Sequence, residues 1–183
     1  SFEVRRTADQ NILLITIDTL RADALGCYGG PAATPNLDEL ARGGIRFDFA
    51  HAHSVVTLPS HANILTGRYP FQHGIRDNNG FRLRPATPTL ASLLKARGFT
   101  TGAFVGAFVL DSRFGLDAGF DVYDDRLPES HGPIELSVAE HRAEVVIAQA
   151  RRWIENQSDS RPWLAWVHLY DPHGPYAPPA PWS

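Results

Sequence analysis

The clearest hydrophobic pattern near the start of the chain is a continuous apolar run over residues 12–17, with the sequence ILLITI. A run this rich in β-branched residues is typical of a strand that is covered on both faces, as in a parallel sheet. The run ends at Asp18. Because the carboxyl ends of parallel strands border the usual ligand crevice, we expect Asp18 to lie near a functional site.

The following segments alternate between helical and extended patterns. Residues 34–44 open with Thr-Pro, which suits an N-cap and a first helical position, and close with Gly-Gly, so a helix is predicted. Apolar and polar residues alternate over residues 45–50, which predicts a strand with one apolar face. A second Thr-Pro pair at residues 87–88 predicts another helix start, and residues 99–104 predict the next strand.

The second half of the chain continues this alternation. Residues 137–140 read SVAE, a capping box, and apolar residues at helical spacing follow it. Residues 163–169 form another buried-type apolar run, which predicts a strand. Strands that alternate with helices indicate an α/β fold with a mostly parallel central sheet.

Composition narrows the class of protein. The chain has 183 residues, 43% of them hydrophobic and 20% charged, which fits one globular domain over residues 1–183. Its 17 basic and 20 acidic side chains give a net charge of −3 without a basic run, so nucleic acid is not an expected partner. Cys27 is the single cysteine, which excludes an internal disulfide. No apolar run reaches the roughly 18 residues of a membrane span, and the compartment is left open.

Residues 55–67 combine the signals of a helix start with a candidate reactive hydroxyl. Pro59 suits the first turn of a helix, and Thr57 lies at or just before the cap. Free N–H groups and the helix dipole attract anions there, so we expect the Thr57 hydroxyl to face a phosphate or sulfate. A metal ion held by Asp18 would lower the pKa of that hydroxyl. In the alternative interpretation Thr57 is an ordinary cap and Asp18 an ordinary turn residue.

Several motifs, in the same order along the chain, resemble those of the sulfatase family in the alkaline phosphatase superfamily. Residues 11–29 resemble the family's opening, with NILLITIDTLRAD followed by GCYG, and residues 34–38 (TPNLD) continue it. Residues 57–67 match the layout of the sulfatase signature, and residues 171–176 (DPHGPY) resemble a later histidine motif. The combination is specific, whereas each motif alone is weak.

The resemblance implies roles for four residues. Asp18 matches the first metal-binding aspartate. Thr57 takes the position of the nucleophile, which would also bind the metal, where sulfatases carry a cysteine or serine matured to formylglycine. His173 matches an active-site histidine that contacts the ester or its leaving group. His61 replaces the arginine that steadies formylglycine and is the third candidate catalytic residue.

Three departures from the family pattern bear on the reaction. Threonine cannot become formylglycine, whereas phosphodiesterases and phosphotransferases of the superfamily use a metal-bound threonine as a direct nucleophile. Thr19 stands where sulfatases often have a second aspartate. The lysine and histidine that the family usually places near residues 106–109 to grip the sulfate are absent there.

The resemblance also implies an alkaline-phosphatase-like three-layer sandwich, of which residues 1–183 are expected to be the N-terminal part. It further implies a divalent metal ion (Ca, or Zn, Mg or Mn) with an incomplete ligand set in this chain and a small-molecule sulfate or phosphate ester as substrate. Because removal of a second half would uncover an edge or face of the sheet, a homo-oligomer is also expected. The expected reaction is metal-assisted hydrolysis of a sulfate ester through Thr57. Two alternatives stay open: a phosphodiesterase or phosphoryl-transfer enzyme, and a non-catalytic domain that binds anions or a partner. For His168, a core position and a position in the crevice both remain open.

Overall fold

The structure, a computed structural model, describes residues 10–126, 140–158, 161–178 and 180. A four-stranded sheet with parallel pairing throughout forms its centre, in the spatial order β1-β4-β2-β3. The strands are β1 (Ile12–Ile17), β2 (Thr100–Val105), β3 (Val122–Asp124) and β4 (Trp163–Leu169). The sheet confirms the predicted mostly parallel architecture and brings the carboxyl ends of all its strands to one edge.

Helices cover both faces of the sheet. Within the described residues they are α1 (Pro35–Gly43), α2 (Thr57–Thr66), α3 (Pro70–His73), α4 (Leu90–Lys95) and α5 (Ala143–Glu155). Single 3-10 turns lie at Ala22–Ala24, Gly26–Tyr28, Phe108–Leu110 and Ser112–Phe114. None of the helices in this part of the chain has the length and apolar character needed to cross a bilayer.

The alternation of side chains along β4 decides which helix covers which face. Val167 packs with Val146 and Ala150 of α5 on one face. Trp166, its neighbour in sequence, points to the other face and packs with Leu58 and other apolar residues of α2. The result is the expected three-layer α/β/α arrangement, with α2 on the same side of the sheet as Trp166.

The predicted strand over residues 45–50 is wrong. Ile45, Phe47 and Phe49 are 81%, 69% and 87% exposed, and no strand of the described sheet pairs with this segment. A strand needs a hydrogen-bonded neighbour, and side-chain alternation does not supply one. The hydroxyl of Tyr28 donates to the Phe47 carbonyl, and the Arg46 guanidinium donates to the Cys27 carbonyl; both contacts tie the segment to the preceding turn.

The helix predicted from residues 87–88 begins two residues later. α4 has Thr89 as its N-cap, because the Thr89 hydroxyl accepts a hydrogen bond from the Ser92 amide while the Ser92 hydroxyl accepts one from the Thr89 amide. This reciprocal pair satisfies the amides of Thr89 and Ser92 at the start of α4.

The helix predicted after residues 137–140 also begins later, at Ala143. Glu140 lies instead in an isolated bridge with Ala107, and residues 137–139 lie outside the described residues. The first turn of α5 is capped by a distant residue, since the Ala143 amide donates to Asp171 Oδ2 at 2.8 Å. A cap supplied from 28 residues away leaves no local signal in the sequence.

Candidate active site

The ends of β1 and α2 bring Asp18 and Thr57 together. Asp18 follows the last residue of β1, and its amide donates to the Leu169 carbonyl of β4 at 2.9 Å, which fixes it at the carboxyl edge of the sheet. Thr57 is the first residue of α2, and its hydroxyl donates to Asp18 Oδ2 at 3.1 Å. Both residues line a cleft of about 520 Å³. The structure thus pairs the two residues for which the sequence predicts metal and nucleophile roles.

The start of α2 offers less to an anion than the sequence predicts. Val56 is the N-cap, and the Thr57 side chain does not cap the helix. The Leu58 amide donates to Asn78 Oδ1 at 2.8 Å, the following proline has no N–H, and the Ser60 amide donates to the Val56 carbonyl. Among the described residues, Thr57 therefore carries the one amide of this turn that lacks an acceptor.

The residue after Asp18 has a strained backbone. Thr19 has a φ of 55°, in the left-handed region. A β-branched residue rarely adopts this conformation, and such strain costs on the order of 1–3 kcal/mol. Strain of this kind concentrates at functional sites, where surrounding contacts hold it in place. Thr19 also lines the cleft, so the strained turn forms part of its wall.

Asp18 is ionised at neutral pH. Its burial raises the pKa of the carboxyl, but the nearby His168 ring and the hydrogen bond from Thr57 outweigh that effect and lower the pKa below its ordinary value. The carboxylate is therefore available as a hard anionic ligand that faces the Thr57 hydroxyl.

His61 lies beneath Thr57, one helical turn later, and is buried. Its Nδ1 lies 2.8 Å from the Thr57 carbonyl oxygen, so Nδ1–H is the donor. Burial, together with the neighbouring His168, lowers the pKa of His61 to about 4, so the ring is neutral at pH 7. His61 contacts the backbone of Thr57 and not its hydroxyl.

His173 lies just beyond the carboxyl end of β4, at the same edge of the sheet as Asp18. Its ring stacks on Tyr170 with centroids 4.4 Å apart, and its Nδ1 donates to the Gly174 carbonyl at 2.6 Å. It makes no hydrogen bond to Asp18 or Thr57 in the described structure. The structure therefore puts His173 at the predicted edge without joining it to the other two residues.

His168 of β4 and Tyr170 of the turn after it extend the site beyond the four residues to which the resemblance assigns roles. His168 is fully buried, with Nε2 3.6 Å from Asp18 Oδ2. Tyr170 is also buried, and burial with the charges of Asp18 and Glu140 raises the pKa of its hydroxyl to about 12. Their spacing at i and i+2 puts both side chains on one face of the chain. Only the strand order shows that β4 lies next to β1, and therefore that these side chains lie near Asp18.

The donor atoms fit a hard divalent cation in kind but not in number. Asp18 supplies a carboxylate and Thr57 a hydroxyl, and such cations take six or more oxygen ligands. Among the described residues, no group of three or more His, Cys, Asp or Glu side chains is placed to hold a metal ion.

Comparison with known proteins places this geometry in a family. The sequence model of the sulfatase family matches residues 10–183. An N-acetylglucosamine-6-O-sulfatase of Bacteroides thetaiotaomicron is 29% identical over 184 residues, covering 94% of this chain and 32% of that protein. Arylsulfatase A of Homo sapiens is 42% identical over 100 residues, covering 50% of this chain and 19% of that protein. The chain thus spans about a third or less of the length of these relatives.

Solved structures show the same fold. A structure determined with its substrate D-glucosamine-2-N,6-O-disulfate superposes with a TM-score of 0.78 at 28% identity, covering 93% of this chain and 36% of that one. A phosphonate monoester hydrolase of Agrobacterium radiobacter superposes with a TM-score of 0.73 at 23% identity, covering 94% and 43%, which shows the shared fold alone. With the family model matching from residue 10 to residue 183, across the strand end at Asp18 and the helix start at Thr57, the chain belongs to the sulfatase family.

Proposed function

We propose that the intact protein hydrolyses a small-molecule sulfate ester, with Thr57 as the nucleophile. The observation that carries the proposal is the 3.1 Å hydrogen bond from the Thr57 hydroxyl to the ionised Asp18 in a cleft at the carboxyl edge of the sheet. The names of the relatives support the substrate class, because they include an N-acetylglucosamine-6-O-sulfatase and an arylsulfatase.

In the proposed reaction Thr57 Oγ1 attacks the sulfur in line with the leaving oxygen, so an O–S bond forms as the ester O–S bond breaks. The Thr57 proton passes to Asp18 Oδ2, which already accepts its hydrogen bond. His173 gives a proton to the leaving alkoxide. Water then attacks the sulfur, Thr57 regains its proton from Asp18, His173 takes one from the water, and hydrogen sulfate leaves.

Asp18 and Thr57 would contribute oxygen ligands to a divalent cation; among the described residues they do not belong to a group of three or more His, Cys, Asp or Glu side chains placed to hold a metal ion. When bound, such a cation neutralises the negative charge that develops on the ester oxygens. His61 would support the nucleophile by donating to the Thr57 carbonyl, which holds the first turn of α2 in place. Because His61 is neutral at pH 7, it does not compete with the cation for Asp18.

A phosphate or phosphonate ester is the second candidate substrate. One observation favours it, because a threonine side chain cannot supply formylglycine chemistry and must attack directly through its hydroxyl. Direct attack by a metal-activated hydroxyl suits phosphorus as well as sulfur. The likeness to a phosphonate monoester hydrolase concerns the fold and does not decide between the two.

The test compares three substrates with the intact protein: an aryl sulfate, a bis-aryl phosphate and an aryl phosphonate, each with and without a chelator. Faster, chelator-sensitive turnover of the aryl sulfate supports the first proposal. A preference for either phosphorus ester supports the second candidate. Absence of turnover for all three, together with absence of cation binding, identifies a non-catalytic relative.

A further inference from the structure

His168 is a buried histidine at the carboxyl end of the central strand β4, and the proposed reaction does not use it. Its side chain is 0% exposed, and neither of its ring nitrogens has a hydrogen-bond partner among the described residues. Buried polar atoms are nearly always hydrogen-bonded, because an unpaired one loses its interaction with water and gains nothing in return. A position that only fills space would favour a phenylalanine or leucine here.

The neighbours of His168 are three aromatic rings and one carboxylate. Ring centroids of His61, Tyr170 and Trp166 lie 4.8, 6.2 and 6.4 Å from the His168 ring. Asp18 Oδ2 lies 3.6 Å from His168 Nε2. Among the described residues, Asp18 is the carboxylate that lies within 4 Å of Nε2.

The backbone of His168 is held from both sides. The strand register pairs it with Thr16 of β1 and Val105 of β2, and its carbonyl accepts a hydrogen bond from the Gly106 amide at 3.1 Å. A side chain on a central strand is positioned more accurately than one on a loop. The His168 side chain is therefore held in place and can orient Asp18, which lies at the end of the edge strand β1.

We propose that His168 is a positioning residue for Asp18, donating Nε2–H to the same Oδ2 atom that accepts the hydrogen bond from Thr57. The N···O distance must shorten by about 0.5 Å to reach the usual hydrogen-bond range. In this arrangement Oδ2 of Asp18 accepts hydrogen bonds from Thr57 and His168, and Oδ1 of Asp18 is available to bind a cation. The effect of this contact on turnover rests on the proposed function, whereas the existence of the contact between His168 and Asp18 does not.

A double-mutant cycle tests the contact without requiring activity or a cation. Equilibrium unfolding of the intact protein is measured with a chelator present for the wild type, Asp18→Ala, His168→Phe and the double variant. If the two residues interact, the effect of the double variant on the free energy of unfolding differs from the sum of the two single-variant effects. We expect this difference to correspond to about tenfold in the unfolding constant, because each single variant leaves a buried partner unpaired. Additive effects, or a His168→Phe variant more stable than the wild type, mark His168 as a space-filling residue and overturn the proposal.

Rescue by glutamine tests whether the donor matters. Glutamine brings an amide N–H near the position of Nε2, whereas phenylalanine keeps the volume without a donor. In calorimetric titration of the intact protein with Ca²⁺ or Mn²⁺ alone, we expect His168→Phe to weaken binding by about 10–100-fold and His168→Gln to restore most of it.

His73→Phe is the matched control, because His73 is also buried but contacts Asn63 rather than Asp18. Its cation affinity is expected to equal that of the wild type. Equal losses in His73→Phe and His168→Phe, or no rescue by His168→Gln, contradict the positioning role.

These measurements separate the two proposals. If the wild type neither binds a cation nor turns over any ester, the proposed function fails, and the unfolding cycle alone decides the role of His168. If the wild type turns over an ester but Asp18 and His168 show no coupling, the positioning role fails and the proposed function stands.

Discussion

The Thr57 hydroxyl donates a hydrogen bond of 3.1 Å to Asp18, a residue 39 positions earlier in the chain. The contact forms because β1 ends at the carboxyl edge of the sheet and α2 begins beside it. It aligns the proton of the candidate nucleophile with an ionised carboxylate, whose pKa lies below its ordinary value despite burial, because His168 and Thr57 stabilise the charged form.

Replacing Asp18 by asparagine is expected to weaken divalent-cation binding by one to three orders of magnitude, because one charged ligand is lost. Calorimetric titration of the intact protein with Ca²⁺ and Mn²⁺ measures the change. Asp48→Asn is the control, since Asp48 is exposed and pairs with Arg46. An unchanged titration curve for Asp18→Asn would remove this residue from the cation site.

Acid is expected to destabilise the fold through His61. Its pKa falls from 6.5 to about 4 on folding, because burial penalises the charged ring. Below pH 6.5 the unfolded chain therefore binds a proton that the folded chain excludes. Its contribution to stability is complete above pH 6.5 and is lost as pH falls toward 4, by roughly 1.4 kcal/mol for each pH unit.

Urea unfolding between pH 7 and pH 4.5 measures this effect. The variant His61→Asn keeps a donor near Nδ1 but does not titrate in this range, so its stability should fall with a smaller slope than that of the wild type. Identical slopes for both proteins would show that His61 is not held neutral by burial.

The packing of α5 on the sheet is expected to tolerate no side chain at Gly102. A Cβ there would come within 2.9 Å of the Trp153 ring, so Gly102→Ala should destabilise the fold by about 1–3 kcal/mol. Gly43→Ala is the matched control, because a Cβ at the end of α1 meets nothing within 4 Å. Thermal unfolding compares the two, and equal melting temperatures would contradict the described packing.

The outer face of β1 is expected to promote self-association. Leu13 and Ile15 are each 50% exposed on this edge strand. Apolar surface beside an unpaired strand edge favours pairing with a second copy. Sedimentation of the 183-residue chain should therefore depend on concentration.

The variant Ile15→Lys should shift that equilibrium toward the monomer, whereas Leu93→Lys should not, since Leu93 is on α4, which packs with Ile12 on the opposite face of β1. Sedimentation of a monomer at every concentration would contradict the self-association of this surface.

Much of the fold follows from local patterns, because β1 and β4 are dense apolar runs. The apolar runs at residues 12–17 and 163–169 form β1 and β4 with the predicted bounds. The alternating pattern at residues 45–50 misleads, because alternation describes one chain and a strand requires a neighbour. The start of α5 was not predictable, since its cap comes from Asp171.

The pairing of Asp18 with Thr57 was predictable from motif order and from the rule that ligands meet the carboxyl ends of parallel strands. The position of His168 was not, because its side chain meets Asp18 only when β4 lies next to β1. The same holds for the Leu58 amide of α2, whose partner Asn78 lies 20 residues later in the chain.

The central claim is that the Thr57 hydroxyl attacks the ester, and the most direct measurement is turnover by Thr57 variants of the intact protein. Thr57→Ala should abolish hydrolysis of an aryl sulfate or phosphate, while its stability falls by only about 1 kcal/mol for the lost hydrogen bond. Thr57→Ser should keep partial activity, because it keeps the hydroxyl. Peptide mapping of the wild type, quenched in acid during turnover, should find a sulfuryl or phosphoryl group on Thr57. Full activity in Thr57→Ala would contradict the account.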